Sequence, residues 1–202
     1  MRANQCIRCI AFPCADVNHA GYIVPDVAVK PDNVSIVMIS EAAPADPRDY
    51  YYAKGDPLFA QTTVQAFHDA GAAVKSMKDI IGMGVYLTTA VKCGKTGYGI
   101  QNSTIVECSR LLEQELALFP GVKALLLMGD VAIKAINAIA RRAGQPRVIP
   151  AGSTYKLRGG TFQFGHARAF PSYLQAGPSF YIEKVKRRMI AEDIAAALAL
   201  AG

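Results

Sequence analysis

The chain has 202 residues, 51% hydrophobic and 19% charged, which excludes a disordered polymer and leaves room for one complete hydrophobic core. Its formal net charge of +6 suits an anionic partner such as nucleic acid without requiring one. No apolar run reaches the roughly 18 residues of a membrane-spanning helix, and the opening Met1-Arg2-Ala3-Asn4-Gln5-Cys6 lacks the apolar stretch of a secretory signal. A cytoplasmic, monomeric protein with no membrane partner is therefore expected. In a reducing compartment its five cysteines read as ligands or free thiols rather than disulfides.

Residues 1–33 carry little apolar periodicity, are punctuated by Pro13, Gly21, Pro25 and Pro31, and are expected to form a loop segment that gains order by docking or by holding a metal. Residues 34–40 are a nearly continuous apolar run, the mark of a central parallel strand buried on both faces. A polar loop follows, then Tyr50-Tyr51-Tyr52 and Gly55-Asp56-Pro57-Leu58-Phe59. A helix is expected over 59–70, with Gly71 as its stop. The run Val85-Tyr86-Leu87-Thr88-Thr89-Ala90-Val91 is rich in β-branched and aromatic residues and predicts a second buried strand, ending near Lys92-Cys93.

Beyond the glycine-rich stretch at Gly94, Gly97 and Gly99, a helix is expected over 103–119, a strand over 124–128 and a helix over 131–142. Gly159-Gly160 suggests a hairpin between 153–158 and 161–164. A fourth core strand is expected within 164–170 and a final helix over 179–199. Strands alternating with helices, with no repeat or linker, predict a single α/β domain over residues 1–202. Its architecture would be a three-layer αβα sandwich on a central four-stranded parallel sheet. Such sheets bind ligands beyond the carboxyl ends of their strands, here the loops at 40–49, 88–93, 128–130 and 170–174.

The thiols fall in the order Cys6-x2-Cys9, Cys93, Cys108. Four thiolates in this order satisfy either a zinc ion or an iron–sulfur cluster, and spacing does not choose between them. Cys14 offers a different fourth ligand. Buried, unliganded Cys93 and Cys108 are the plainer alternative. Glu41, just past the first strand, is placed to activate water or to stabilise a developing cation, or simply to cap a loop. His166, Asp46 and Asp49 are further polar candidates. Phe59 and the three tyrosines offer aromatic faces for a base, and Lys184, Lys186, Arg187 and Arg188 read as a solvated helix face.

Several short motifs recur in a collinear order. They are Cys6-Ile7-Arg8-Cys9, Ser40-Glu41-Ala42-Ala43-Pro44, Gly55-Asp56-Pro57-Leu58-Phe59 and Thr89-Ala90-Val91-Lys92-Cys93, followed by Cys108, Leu127-Met128-Gly129 and Phe170-Pro171-Ser172-Tyr173-Leu174. This layout resembles that of the iron–sulfur (family 4-type) uracil-DNA glycosylases. The resemblance implies their fold, DNA as partner, and excision of a damaged base by N-glycosidic hydrolysis. It also implies a 4Fe–4S cluster on Cys6, Cys9, Cys93 and Cys108, with zinc as the alternative. Glu41 would be catalytic; Phe59, Thr89, Phe170 and Ser172 would bind the base; Tyr173 and Leu174 would wedge into the duplex.

Two departures bear on the chemistry. Thr89 stands where the family has an asparagine that reads uracil, and a hydroxyl lacks the amide's bidentate pattern. Phe170 replaces a histidine that stabilises charge on the departing base. The alternative functions are a non-catalytic nucleic-acid-binding or sensing module on the same fold, or an unrelated zinc-containing α/β nucleotide enzyme. Lys92, Lys95 and either Arg168 or Arg48 are expected to border the DNA groove.

Overall fold

A computed structural model describes all residues 1–202. The segment before the first long strand has three 3-10 turns and one short strand, β1 (Val17–Asn18). It is tied to the body rather than loose: Ile23 N–H donates to Lys92 O (2.8 Å), and Asp16 accepts from Gln101 N–H (2.7 Å) and Thr96 Oγ1 (2.8 Å). The core strands are β2 (Ile36–Ala43), β3 (Val85–Lys95) and β4 (Ala124–Met128). The hairpin β5 (Phe162–Phe164) and β6 (Ala167–Ser172) completes a six-stranded sheet of order β1-β3-β2-β4-β6-β5. Strands β3, β2, β4 and β6 run parallel, and the two short outer strands pair antiparallel. The expected four-stranded parallel core is present, with β1 and β5 as additional edges.

Helices cover both faces. On one side α3 (Asn102–Leu116) and α4 (Asp130–Arg142) pack over Val37, Ile39, Leu125 and Leu127. On the other, α1 (Leu58–Asp69), α2 (Met77–Gly82) and α7 (Lys184–Ala201) enclose Ile36, Met38, Leu126 and Met128. Residues 36–39 of β2 and 124–128 of β4 alternate between the two cores, as the two-residue repeat of a pleated strand requires. Because both faces are buried there, residues 36–39 and 124–128 are apolar throughout and read as unbroken hydrophobic runs.

Three local features differ from the sequence expectations. Residues Thr154–Leu157 form one helical turn, α5, instead of a hairpin arm; the hairpin lies later and turns at Gly165, where φ is +58°. The last helix is broken at Glu183, giving α6 (Ser179–Ile182) before α7. Strand β3 continues past Lys92 to Lys95 because that lysine is enclosed with a partner. Its ammonium donates to Thr88 Oγ1 (2.7 Å) and Thr89 O (2.6 Å), and it is paired with Glu115 of α3.

The outer edge of β3 is blocked rather than exposed. Tyr52 Oη accepts from Leu87 N–H (3.0 Å) and donates to Leu87 O (3.1 Å), and Ile23 N–H donates to Lys92 O (2.8 Å). Covering an edge in this way protects the sheet from pairing with other chains. Tyr50 and Tyr51 are buried in the core, so the tyrosine triplet is packing, not a stacking surface for nucleic acid.

Candidate active cleft and thiol pocket

At the carboxyl end of the sheet lies a cleft of about 630 Å³, walled by Glu41–Asp46, Asp49, Leu58 and Phe59, by 95–98, and by Leu174 and 176–179. Its position follows from the topology. The loops after β2, β3 and β6 converge there, as in other parallel sheets. Behind its lining residues lies a buried polar network that sequence reading missed. Gln175, wholly buried, donates to Tyr51 Oη (3.0 Å) and Thr63 Oγ1 (3.5 Å), and Ser40 bonds to both Tyr51 and Gln175. These bonds lock the end of β2, the tyrosine loop, α1 and the segment after β6 to one another.

Glu41 lies in β2 on the face opposite Ser40, toward α4. Its carboxylate rests over Gly129, the residue that caps the start of α4; a Cβ at Gly129 would sit 2.7 Å from Glu41 Oε1. Gly129 also has φ +104°, so glycine is required there twice over, for backbone and for space. The Glu41 carboxylate thus faces the positive end of a 13-residue helix, and Lys95 Nζ stands 3.6 Å away. A partly exposed carboxylate held between a helix N-terminus and an ammonium suits a group that must approach an electron-poor carbon and orient a water.

The other expected site residues divide sharply. Phe59 and Leu174 line the cleft. Thr89 does not: it is wholly buried, and its hydroxyl has no hydrogen-bond partner. Phe170 is buried beneath the Arg168 guanidinium (4.7 Å to the ring), and Ser172 donates to Asp193 of α7 (2.6 Å). Of the base-binding set, then, only Phe59 reaches the cleft wall. Tyr173 is half-buried and sits under Lys186 (5.5 Å).

Among the polar candidates, Asp46 and Asp49 border the cleft. Asp46 is committed to Arg48, whose guanidinium and backbone N–H hold its carboxyl below the usual range. His166 is at the β5–β6 turn, at the opposite end of the sheet. Arg168 also starts its strand at that far end, and Lys92 is enclosed, so neither borders the cleft as expected. Lys95 does. Tyr98, fully exposed in the Gly97-Tyr98-Gly99 loop on the cleft wall, was not singled out by sequence; flanking glycines around an aromatic were its only signal.

A second pocket, about 290 Å³, is lined by Cys9, Cys14, Cys93 and Cys108 together with Phe12, His19 and Tyr22. Its sheet wall is made by a bulge. Between Ala42 and Ala43 the register of β2 jumps from Val91 to Gly94, so Lys92 and Cys93 are extra residues of β3. Lys92 N–H donates to Cys108 Sγ at 3.2 Å. Burial and then the neighbouring Cys108, Cys9 and Cys14 push the Cys93 thiol up to about 12. Burial pushes Cys108 up to about 11, against the bond from Lys92. Such thiols stay protonated near neutrality unless a metal centre takes them as thiolates.

Cys6 is elsewhere. It is exposed, follows the first 3-10 turn, and directs its thiol to Arg2 O at 3.7 Å. No group of three His, Cys, Asp or Glu side chains is gathered tightly enough for a single ion. Cys9, Cys14, Cys93 and Cys108 do line one pocket, a sulfur donor set of the kind that zinc or an iron–sulfur cluster takes.

Comparison with known proteins agrees with this architecture. A protein 29% identical over 141 residues is the Type-5 uracil-DNA glycosylase of Thermus thermophilus; the match covers 67% of this chain and 61% of that protein. The chain therefore spans about three fifths of the length of this relative. A family model described as the Uracil DNA glycosylase superfamily matches residues 28–192, from before β2 into α7. The chain belongs to the uracil DNA glycosylase superfamily.

Proposed function

We propose that the protein binds DNA and excises a damaged base by hydrolysing its N-glycosidic bond in the Glu41 cleft, with a 4Fe–4S cluster in the thiol pocket. The observation that carries this reading is the Glu41 carboxylate held over the head of α4 beside Lys95, inside a cleft large enough for one flipped nucleotide. In the step proposed, Glu41 orients a water and takes its proton as the oxygen bonds to the anomeric carbon. The bond from that carbon to the base nitrogen breaks, its electron pair leaves with the base, and solvent protonates the base. Phe59 and Leu174 supply the apolar walls. Lys95 meets a phosphate or balances the carboxylate. Cys9, Cys93 and Cys108 would hold the cluster, which would join the N-terminal segment to β3 and α3, while the cleft residues carry the chemistry.

The relative named for uracil makes uracil the first base to test. With Phe170 packed in the core and no imidazole at its position, departure of the base lacks a charge-stabilising donor, a deficit of about 10²–10³ in rate. Uracil release is expected to be slow. The same enclosure of Thr89 and Phe170 favours one second reading, a binding module that has lost excision. A panel of oligonucleotides carrying uracil, hypoxanthine, xanthine or an abasic site separates the two. Alkali-dependent strand scission at a damaged base supports excision; salt-dependent binding without scission supports the module.

A further inference from the structure

We propose that the thiol site of this chain is built from Cys9, Cys14, Cys93 and Cys108, and that Cys6 is a free surface thiol. The proposal rests on the reading that the pocket holds a metal centre, and it changes which residues hold it: the collinear motifs point to the Cys6-x2-Cys9 pair, whereas the fold brings Cys9 and Cys14 to the pocket.

The geometry behind the exchange starts at Asp16. Its carboxylate accepts from Gln101 N–H (2.7 Å) and from Thr104 Oγ1, and its carbonyl accepts from Thr96 Oγ1 (2.8 Å). These bonds fasten the N-terminal segment to the first turn of α3. Thr104 and Cys108 are one helical turn apart on the same face of α3. Cys14, two residues before this anchor, is thereby delivered to the face that carries Cys108.

The 9–14 loop is shaped for the same purpose. Phe12 adopts φ +44°, a left-handed conformation unusual for a bulky residue. Its ring packs against His19 (5.2 Å) and Tyr22 (5.1 Å), and His19 Nε2 bonds to Cys14 O at 2.6 Å. At the other end of the loop, Tyr22 Oη accepts from Cys9 N–H at 2.9 Å. A strained residue persists only where its surroundings hold it. Here the two cysteines at the loop ends are the residues it positions, and the loop between them covers the pocket. Cys6 has no part in this. Its thiol points back along its own turn to Arg2 O, and neither Cys6 nor the paired Arg2 and Asp26 line the pocket.

The test uses serine variants of each cysteine in the full chain, purified without oxygen. Iron, sulfide and zinc are counted per chain, and the visible absorbance is recorded. The expected result is that Cys6→Ser keeps the metal content and spectrum of the unmodified protein, while Cys14→Ser loses most of both. A second measurement needs no substitution. The metal-loaded protein is alkylated under native conditions and its peptides are mapped. Cys6 should be modified while the other four are protected, and chelation should expose those four. Loss of metal in Cys6→Ser with retention in Cys14→Ser, or protection of Cys6 with modification of Cys14, overturns the ligand assignment and leaves the cluster reading intact. Zinc in place of iron and sulfide, with the same four thiols protected, supports the assignment and refutes the cluster. An unmodified protein that binds neither metal refutes both.

Discussion

Removing the ammonium of Lys92 should destabilise the protein far more than a single lysine usually does. Lys92 and Glu115 are both wholly enclosed, with side-chain exposures of 0%/0%. All three ammonium protons have acceptors: Thr88 Oγ1, Thr89 O and Glu115 Oε2. Glu115 accepts in addition from Tyr86 Oη (2.7 Å) and Thr88 Oγ1 (2.9 Å). Lys92→Met fills a similar volume but leaves the carboxylate enclosed and uncompensated, at a cost of about 3–5 kcal/mol. For a domain of this length each kcal/mol moves the melting temperature by about 2–4 °C, so the expected drop is about 6–20 °C. Thermal unfolding followed by far-UV circular dichroism measures it. Adding Glu115→Gln removes the stranded charge and keeps an acceptor for Tyr86 and Thr88, so the double variant should recover more than half of the loss. A Lys92→Met protein within about 1 kcal/mol of the parent, or a double variant no better than the single, would refute the view that this pair holds the end of β3 as a unit.

Gly129→Ala places a methyl 2.7 Å from Glu41 Oε1 at a backbone φ of +104°. It should cost about 1–3 kcal/mol in stability and lower base excision about 100-fold while DNA affinity stays unchanged, because it displaces the carboxylate rather than the DNA. Lys95→Ala should flatten the dependence of DNA affinity on salt by about one phosphate contact. Tyr98→Ala and Leu174→Ala should weaken duplex binding with the salt slope intact, as measured by fluorescence anisotropy across a salt series. Arg187→Ala breaks the pair that joins α7 to Asp69 of α1. The Arg187 hydrogen bonds hold the Asp69 carboxyl below its usual range, so the pair stabilises the fold above the ordinary aspartate range and is lost as pH falls through the lowered value. The variant should lose up to about 1 kcal/mol at neutral pH and converge on the parent in acid denaturation.

The strands that were legible in the sequence were those whose burial is local and complete. Residues 36–39 and 124–128 are apolar at every position because helices cover both faces of the sheet. The end of β3 was less legible because Lys92 reads as a polar terminus; the residue that buries it, Glu115, lies on a different element. The six-residue α2 is too short to show a helical period, and only its Ser76 cap marks it. The same division holds at the functional sites. Glu41 and Leu174 stand out in the sequence beside recognisable strands and Phe59 through its Gly55–Phe59 motif, and the three line one cleft. Thr89 and Phe170 occupy the right motif positions, but the pleat turns both side chains into enclosed positions. The motif spacing favours Cys6-x2-Cys9 and predicts that Cys14 is no ligand, whereas the fold lines the pocket with Cys14. What brings Cys14 to the pocket is the contact of Asp16 with α3, about 85 residues further on, which no local pattern reveals.

The most direct test of the central claim is single-turnover base release by the unmodified protein and by Glu41→Gln, on the damaged base that the unmodified protein cleaves fastest. DNA affinity is measured in parallel. If Glu41 activates the attacking water, the amide variant should release base about 10²–10⁴-fold more slowly with its DNA affinity preserved. Equal rates for the two proteins would contradict the account and move the chemistry away from the head of α4.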